Sequence, residues 1–495
     1  MSTIGFDNNK YIELQSRKIQ ERIASFGGKL YLEFGGKLFD DYHAARVLPG
    51  FKPDSKIRML LSMKNDAEVI IVVSATSIEQ NKIRGDLGIS YDLDTLRLID
   101  AFNDIGISIC GVVITQYANQ PAADAFIKRL DNLSVNVFKH YSIDGYPTNI
   151  KKIVSDEGYG KNEYVKTTKP LVVVTAPGPG SGKMATCLSQ LYHDHKRGIK
   201  AGYAKFETFP IWNLPLTHPV NMAYEAATVD LNDVNMIDPF HLEATGTTAV
   251  NYNRDIEIFP VLQAIFRQIY GECTYKSPTD MGVNMAGYCI IDDEVTCNAS
   301  KMEIVRRYYD TLCRKRNGNA DADEVYKSEL IMSKVGVDTS FRRVVKSALD
   351  KAKDTGEPAA AIELSDGTIV TGKTSKLMGA SAAALLNALK HLGGIDDELL
   401  LLPVEVMEPI QKLKVENLGN NNPRLHSDEI LIALAISANT SPVAALAMEQ
   451  LPKLRGCQAH VSVMLSNVDK NVYNKLGINL TTEPIYATKK LYHKQ

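Results

Sequence analysis

Seven cysteines, at 110, 187, 273, 289, 297, 313 and 457, are too few, too scattered and odd in number for a disulfide scaffold, so reduced thiols are expected. No C-x-x-C or H-E-x-x-H pair occurs, and the closest cysteines, Cys289 and Cys297, lack zinc-site spacing, so zinc is not expected. Long apolar runs are also missing. No stretch approaches the roughly 18–20 residues of a membrane span, and the opening residues lack a basic region leading into an apolar core. A cytoplasmic protein with no membrane partner is expected. Charge of one sign is lacking too. The 56 basic residues offset 58 acidic ones, for a net charge of −2, and no basic run is interleaved with aromatics, so no nucleic-acid partner is expected.

What is present is alternation. Short apolar runs at 29–34, 69–73, 107–114, 171–174 and 201–206 are separated by helical patterns near 9–25, 92–104 and 120–132. Such runs between helices predict parallel strands buried on both faces. With 495 residues, several domains are expected. The reading is a multi-domain α/β protein. Residues 1–255 form a doubly wound parallel sheet, with a second division point near 165. A helical segment covers 256–350, where Ile258, Leu262, Ile265 and Ile269 recur at helical spacing. Residues 351–495 form a C-terminal α/β domain that opens on a hairpin closed by Asp366-Gly367.

The chemistry-bearing feature is the segment from Leu171 to Thr186. Four apolar residues lead into Pro177-Gly178-Pro179-Gly180-Ser181-Gly182-Lys183 and then into a helix start. Glycines let backbone N–H groups approach an anion, and Lys183 stands where a P-loop lysine stands. The match is degenerate: Pro177 replaces the first glycine and Met184 the magnesium-binding hydroxyl, which Thr186 is placed to supply from the next turn. Gly178, Gly180, Ser181, Gly182, Lys183 and Thr186 are therefore candidate ligands for ATP or another nucleotide with magnesium. A glycine-rich strand-to-helix turn without a ligand is the alternative.

The segment 205–255 is dense in polar groups and in shape-fixing prolines, as a substrate loop would be. Lys205, Asn221, Asp230 and Asp233 are candidate substrate contacts. Asp230, Asp233 and Asp238 are candidate ligands for an exchangeable Mg²⁺, which takes few protein carboxylates. Lys183, Glu207, His218 and His241 are the catalytic candidates, the histidines as general bases. Arg84, beside Asp86 after strand 69–73, is a further anion contact, or else part of a surface turn held by arginine–aspartate pairing.

The segments Glu33-Phe34-Gly35-Gly36-Lys37, Arg84-Gly85-Asp86-Leu87-Gly88 and Asp156-Glu157-Gly158-Tyr159-Gly160-Lys161-Asn162, with the glycine turn, resemble one bacterial family over essentially the whole chain. That is the domain of unknown function 1846 family, and the resemblance implies no reaction and no catalytic residue. Strand 201–206 with Lys205 and Glu207 is similar to P-loop synthetases and kinases such as dethiobiotin synthetase. The C-terminal pattern resembles the cytidine-deaminase fold without its zinc ligands, because the helix start there is Gly379-Ala380-Ser381-Ala382.

The expected activity is phosphoryl transfer to, or ligation of, a small polar metabolite. The alternatives are a non-catalytic nucleotide or phosphometabolite sensor, and a transferase acting on a phosphorylated substrate without nucleotide hydrolysis. The expected partner is a small-molecule metabolite, and a homo-oligomer is compatible with the sequence.

Overall fold

The computed structural model describes residues 4–84 and 87–488. Gly85 and Asp86 lie outside them. The chain divides into two compact units, one taking in residues through 225 together with 233–300, the other 226–232 and the residues from 301 on. The stretch 256–300, expected to open a helical segment, belongs to the first unit.

The first unit is built on a seven-stranded sheet. Its strands are β1 (Leu30–Phe34), β2 (Ala67–Ser74), β3 (Ser108–Tyr117), β4 (Val137–Tyr141), β5 (Leu171–Thr175), β6 (Gly202–Phe206) and, after a small hairpin of β7 (Asn235–Ile237) and β8 (Val250–Tyr252), β9 (Gly282–Val283). Across the sheet the order is β9-β6-β1-β5-β2-β3-β4, and every neighbouring pair is parallel. Every residue of β1, β2, β5 and β6 is buried, as the continuous apolar runs require of strands covered on both faces. The chain leaves a gap between β1 and β2, winds outward through β3 and β4, then returns to fill the gap with β5 before crossing β1 to lay down β6. Winding therefore reverses at β5. In a parallel sheet, ligands collect at the carboxyl ends of strands beside such a reversal.

Helix α1 (Asn8–Ser25) starts where the Asp7 carboxylate accepts hydrogen bonds from Asn9 N and Lys10 N. Helix α2 (Tyr91–Asp104) packs against β2 and β3. Helix α3 (Lys183–Lys196) follows β5 and packs on β1, β5 and β6. Near its end the fully buried Asp194 accepts from Lys29 Nζ at 2.7 Å, Tyr31 OH at 2.8 Å and Tyr164 OH at 2.7 Å. That carboxylate ties the helix to the start of β1.

The second unit contains a four-stranded sheet in the order β11-β10-β12-β13: β10 (Ala359–Glu363), β11 (Ile369–Lys373), β12 (Gln458–Val461) and β13 (Asn479–Thr482). The β10–β11 pair is the expected hairpin, and β12 and β13 are parallel. A small-residue helix, Ala380–Leu392, lies so close to β11 that a Cβ on Gly372 would stand 2.2 Å from Ala384 N. All seven cysteines are free. No helix among the described residues is long and apolar enough to cross a membrane.

Removing the Asp194 carboxylate leaves Lys29 buried without its counter-ion. Asp194→Ala is expected to cost about 3–5 kcal/mol in urea denaturation. A loss under about 1 kcal/mol would show that water reaches the pair.

Candidate functional site

The carboxyl end of β5 leads into the glycine turn. Gly180 and Gly182 adopt left-handed φ values of 76° and 91°, which favour glycine. Gly178 is pressed against α2, where an added Cβ would come within 2.1 Å of the Tyr91 hydroxyl oxygen. The turn is held by its carbonyls: Thr115 of β3 donates its hydroxyl to Ser181 O at 2.7 Å, and Ser181 donates to Gly178 O at 2.9 Å. Its donors are left over. Among the described residues, the N–H groups of Gly180, Ser181, Gly182 and Lys183 have no hydrogen-bond partner. These lie at the start of a 14-residue helix, where orphan N–H groups and the helix dipole together favour negative charge.

Lys183 is the first residue of α3. Its ammonium makes no hydrogen bond to a described residue. Burial pulls its pKa below the ordinary lysine value; nearby Glu33 opposes that pull, and Lys205 adds to it. Thr186 is fully buried, and its hydroxyl donates to Gly182 O at 3.0 Å. The hydroxyl is thus directed into the helix.

Next to the turn lies a buried ionic cluster. In the register of β1 and β6, Glu33 stands directly opposite Lys205, so both project from the same face. Lys205 Nζ contacts Tyr252 OH and Asp255 Oδ2, and lies 2.8 Å from Glu207 Oε1. Those three acceptors use the three donors of an ammonium. Lys205, expected as a substrate contact, is thereby spent inside the protein. Burial disfavours its charge, but Asp255, Glu207 and Glu33 outweigh burial and hold its pKa above the usual lysine value.

Tyr252 passes the interaction on, donating to Glu207 Oε1 at 3.0 Å. Tyr203 donates to Glu33 Oε2 at 2.6 Å. Glu207 Oε1 therefore accepts twice, and Oε2 has no hydrogen-bond partner among the described residues. Burial first, then Asp255, pushes the Glu207 pKa up against the pull of Lys205 and Tyr252, to about 7. A carboxyl titrating near neutrality suits a general acid or base.

Glu207 forms part of the wall of a small pocket that also includes Pro210, Trp212, Asn251, Thr279 and Asn284. Most of its polar groups face inward. Trp212 Nε1 donates to Asn284 O at 2.7 Å, Asn284 Nδ2 to Pro210 O at 2.9 Å, and Thr279 Oγ1 to Asp238 Oδ2 at 2.7 Å.

The other expected residues are placed apart. Asp238 caps the helix Pro239–Thr245, accepting from Phe240 N and His241 N at 3.0 Å, while its second oxygen serves Thr279. Asp233 accepts from Arg254 Nη2 at 2.8 Å, and Asp230 is exposed in the second unit. The three aspartates do not gather into a metal-binding group among the described residues. Asn221 clamps the loop around Ile211, accepting from its N–H at 2.7 Å and donating to its carbonyl at 3.1 Å. Arg84 donates to Asp94 Oδ2 at 2.8 Å. His241 lies beside Trp212, with ring centroids 6.2 Å apart.

His218 lies in a group that sequence spacing does not reveal. Its Nε2 is 3.0 Å from Asp293 Oδ1 and 3.5 Å from Cys297 Sγ, and the three possible ligand atoms lie within 4.8 Å of one another. Nδ1, however, accepts from Val220 N–H at 3.2 Å. In a neutral ring that places the proton on Nε2, as donor to Asp293. A metal at Nε2 needs the opposite tautomer.

Glu33, Tyr203, Tyr252 and Asp255 were missed. The first two carried a signal, since an ionisable or hydroxyl side chain inside a strand buried on both faces requires a partner. The last two meet Lys205 only through the return of the chain from β8 into the helix Asn253–Tyr270.

Residues 4–336 match the family described as "Domain of unknown function DUF1846, N-terminal", and residues 340–492 match "Domain of unknown function DUF1846, C-terminal". The chain is 58% identical over 494 residues to UPF0371 proteins of Streptococcus pyogenes serotypes M5 and M18, with the whole of each chain covered. A UPF0371 protein of Streptococcus thermophilus is equally similar, at 58% over 494 residues.

The folded state holds the Glu207 proton more tightly than the unfolded chain, so stability falls as pH rises from the ordinary carboxyl value through about 7. Glu207→Gln cannot ionise. Its stability relative to the native protein is expected to improve by about 2–3 kcal/mol between pH 4.5 and pH 8 in urea denaturation. A difference that does not change with pH would contradict the buried carboxyl.

Proposed function

The chain belongs to the DUF1846 family, and we propose that it binds a nucleotide or another phosphorylated metabolite at the turn between β5 and α3. The carrying observation is the row of unspent N–H donors from Gly180 to Lys183, at the carboxyl end of the strand where winding reverses. Lys183 adds a cation whose donors are also unspent, as a P-loop lysine would be. Thr115 and Tyr91 support the cradle from β3 and α2. In the favoured reading this cytoplasmic protein transfers a phosphoryl group to, or ligates, a small polar metabolite in the pocket at Glu207. Glu207 takes or returns the acceptor's proton, and Lys205, Tyr252 and Asp255 position Glu207 without touching the acceptor.

Magnesium does not fit the residues expected to hold it. Asp233 and Asp238 are already engaged, Asp230 lies in the other unit, and the Thr186 hydroxyl is bonded within its helix. The same observation favours the second reading, a sensor that binds the phosphorylated compound without turnover.

Lys183→Ala is expected to weaken ATP or inorganic phosphate binding by about tenfold or more, read by calorimetry, with the melting temperature of the unliganded protein little changed. Equal affinity in both proteins would reject the turn as the site. Nucleotide consumption across a metabolite panel separates the two readings. Turnover that is lost in Lys183→Ala supports transfer, and binding without consumption supports the sensor.

A further inference from the structure

We propose that the Glu207 pocket takes a small primary amine, its ammonium bound at Glu207 Oε2 and a neighbouring hydroxyl or carbonyl oxygen bound at Asn251 Nδ2. This rests on the function proposed above and names the chemical class of the acceptor.

Two groups in the pocket wall have capacity left, and they are of opposite kind. Glu207 Oε1 accepts from Lys205 and Tyr252, whereas Oε2 accepts nothing within the described residues. Asn251 is 4% exposed. Its Oδ1 accepts from Tyr252 N at 2.9 Å, and its Nδ2 has no hydrogen-bond partner among the described residues. Neither Glu207 Oε2 nor Asn251 Nδ2 is sealed from solvent, so both are open to a ligand that enters the pocket. The pocket wall thus offers one anionic acceptor and one neutral donor, together with Trp212 and Pro210.

Charge selects the amine. Lys205 is contacted by two carboxylates, Glu207 and Asp255, so the buried group carries more negative than positive charge. Around the cluster also lie the Tyr252 and Tyr224 hydroxyls, the Glu33 carboxylate and two further cations, Arg254, which sits over the Tyr252 ring and is already paired with Asp233, and Lys183 at the glycine turn. Lys205 cannot serve the ligand, because its three donors are spent. An incoming ammonium supplies positive charge at Glu207 Oε2, the carboxylate oxygen of the pocket wall that accepts no hydrogen bond among the described residues. A second anion there would add to the repulsion, and a neutral alcohol would leave the imbalance in place. Because burial raises the Glu207 carboxyl to about 7, it is partly protonated near neutral pH, and an ammonium bound beside it favours release of that proton.

Calorimetry in two buffers of different ionisation enthalpy tests this, with ethanolamine and L-alaninamide as probes and their N-acetyl derivatives as controls. The amines are expected to bind with proton release at pH 7, and the N-acetyl derivatives to bind about tenfold or more weakly. Glu207→Gln is expected to abolish proton release. Asn251→Ala, which removes no ionisable group of the cluster, is expected to weaken both amines while keeping proton release. Binding of the N-acetyl compounds as tight as that of the amines, or no binding of either amine, would overturn the proposal. Phosphate titrated into the unsubstituted protein and into Glu207→Gln keeps the two ideas separate. In the unsubstituted protein, phosphate binding without amine binding rejects only the amine, whereas amine binding without phosphate binding rejects the turn; Glu207→Gln is expected to lose the amine and keep phosphate.

Discussion

Charged and hydroxyl side chains inside strands that have no solvent face must be paired within the protein. Glu33 and Lys205 stand opposite one another in β1 and β6, both buried. Leaving either unpaired would cost several kcal/mol. Tyr203, Tyr252, Glu207 and Asp255 complete the pairing. The cluster also constrains the chain around it. Asp255 has to lie in the first turn of its helix and Tyr252 at the end of β8, so the excursion from β6 to that helix is pinned at both ends.

The two lysines at this end of the sheet divide the work. Lys205 has every donor engaged and remains charged because carboxylates surround it. Lys183 sits at a helix start, has no hydrogen-bond partner among the described residues, and has its charge disfavoured by burial. An ammonium in that condition gains most from an anion. The unspent N–H groups beside it act in the same direction. A fixed ionic cluster thus lies next to a turn whose N–H donors are unspent among the described residues.

Much of the sheet was legible in the sequence, because strands covered on both faces leave continuous apolar runs. The runs at 29–34, 69–73, 107–114, 171–174 and 201–206 all became strands of one parallel sheet. Val137–Tyr141 escaped notice because Lys139 and His140 interrupt its apolar character. Gly282–Val283 is too short to carry a pattern, and its place at the sheet edge comes from pairing with Lys205 and Phe206. The glycine turn was legible as well, since left-handed backbone at Gly180 and Gly182 calls for glycine. Partnerships between distant residues were not. Arg84 with Asp94, Asp233 with Arg254, and Asp238 with Thr279 arise from tertiary contact. Composition shows that charges are present, but only the fold shows which of them are already used.

Backbone amide hydrogen exchange with and without saturating ATP or inorganic phosphate reads anion binding at the glycine turn residue by residue. Ligand binding at the turn is expected to slow exchange at Gly180, Ser181, Gly182 and Lys183, whose N–H groups have no partner among the described residues. Little change is expected at Asp194 and its partners, which are already bonded. Ligand-induced protection elsewhere, with exchange at these four amides unaltered, would contradict binding at the turn.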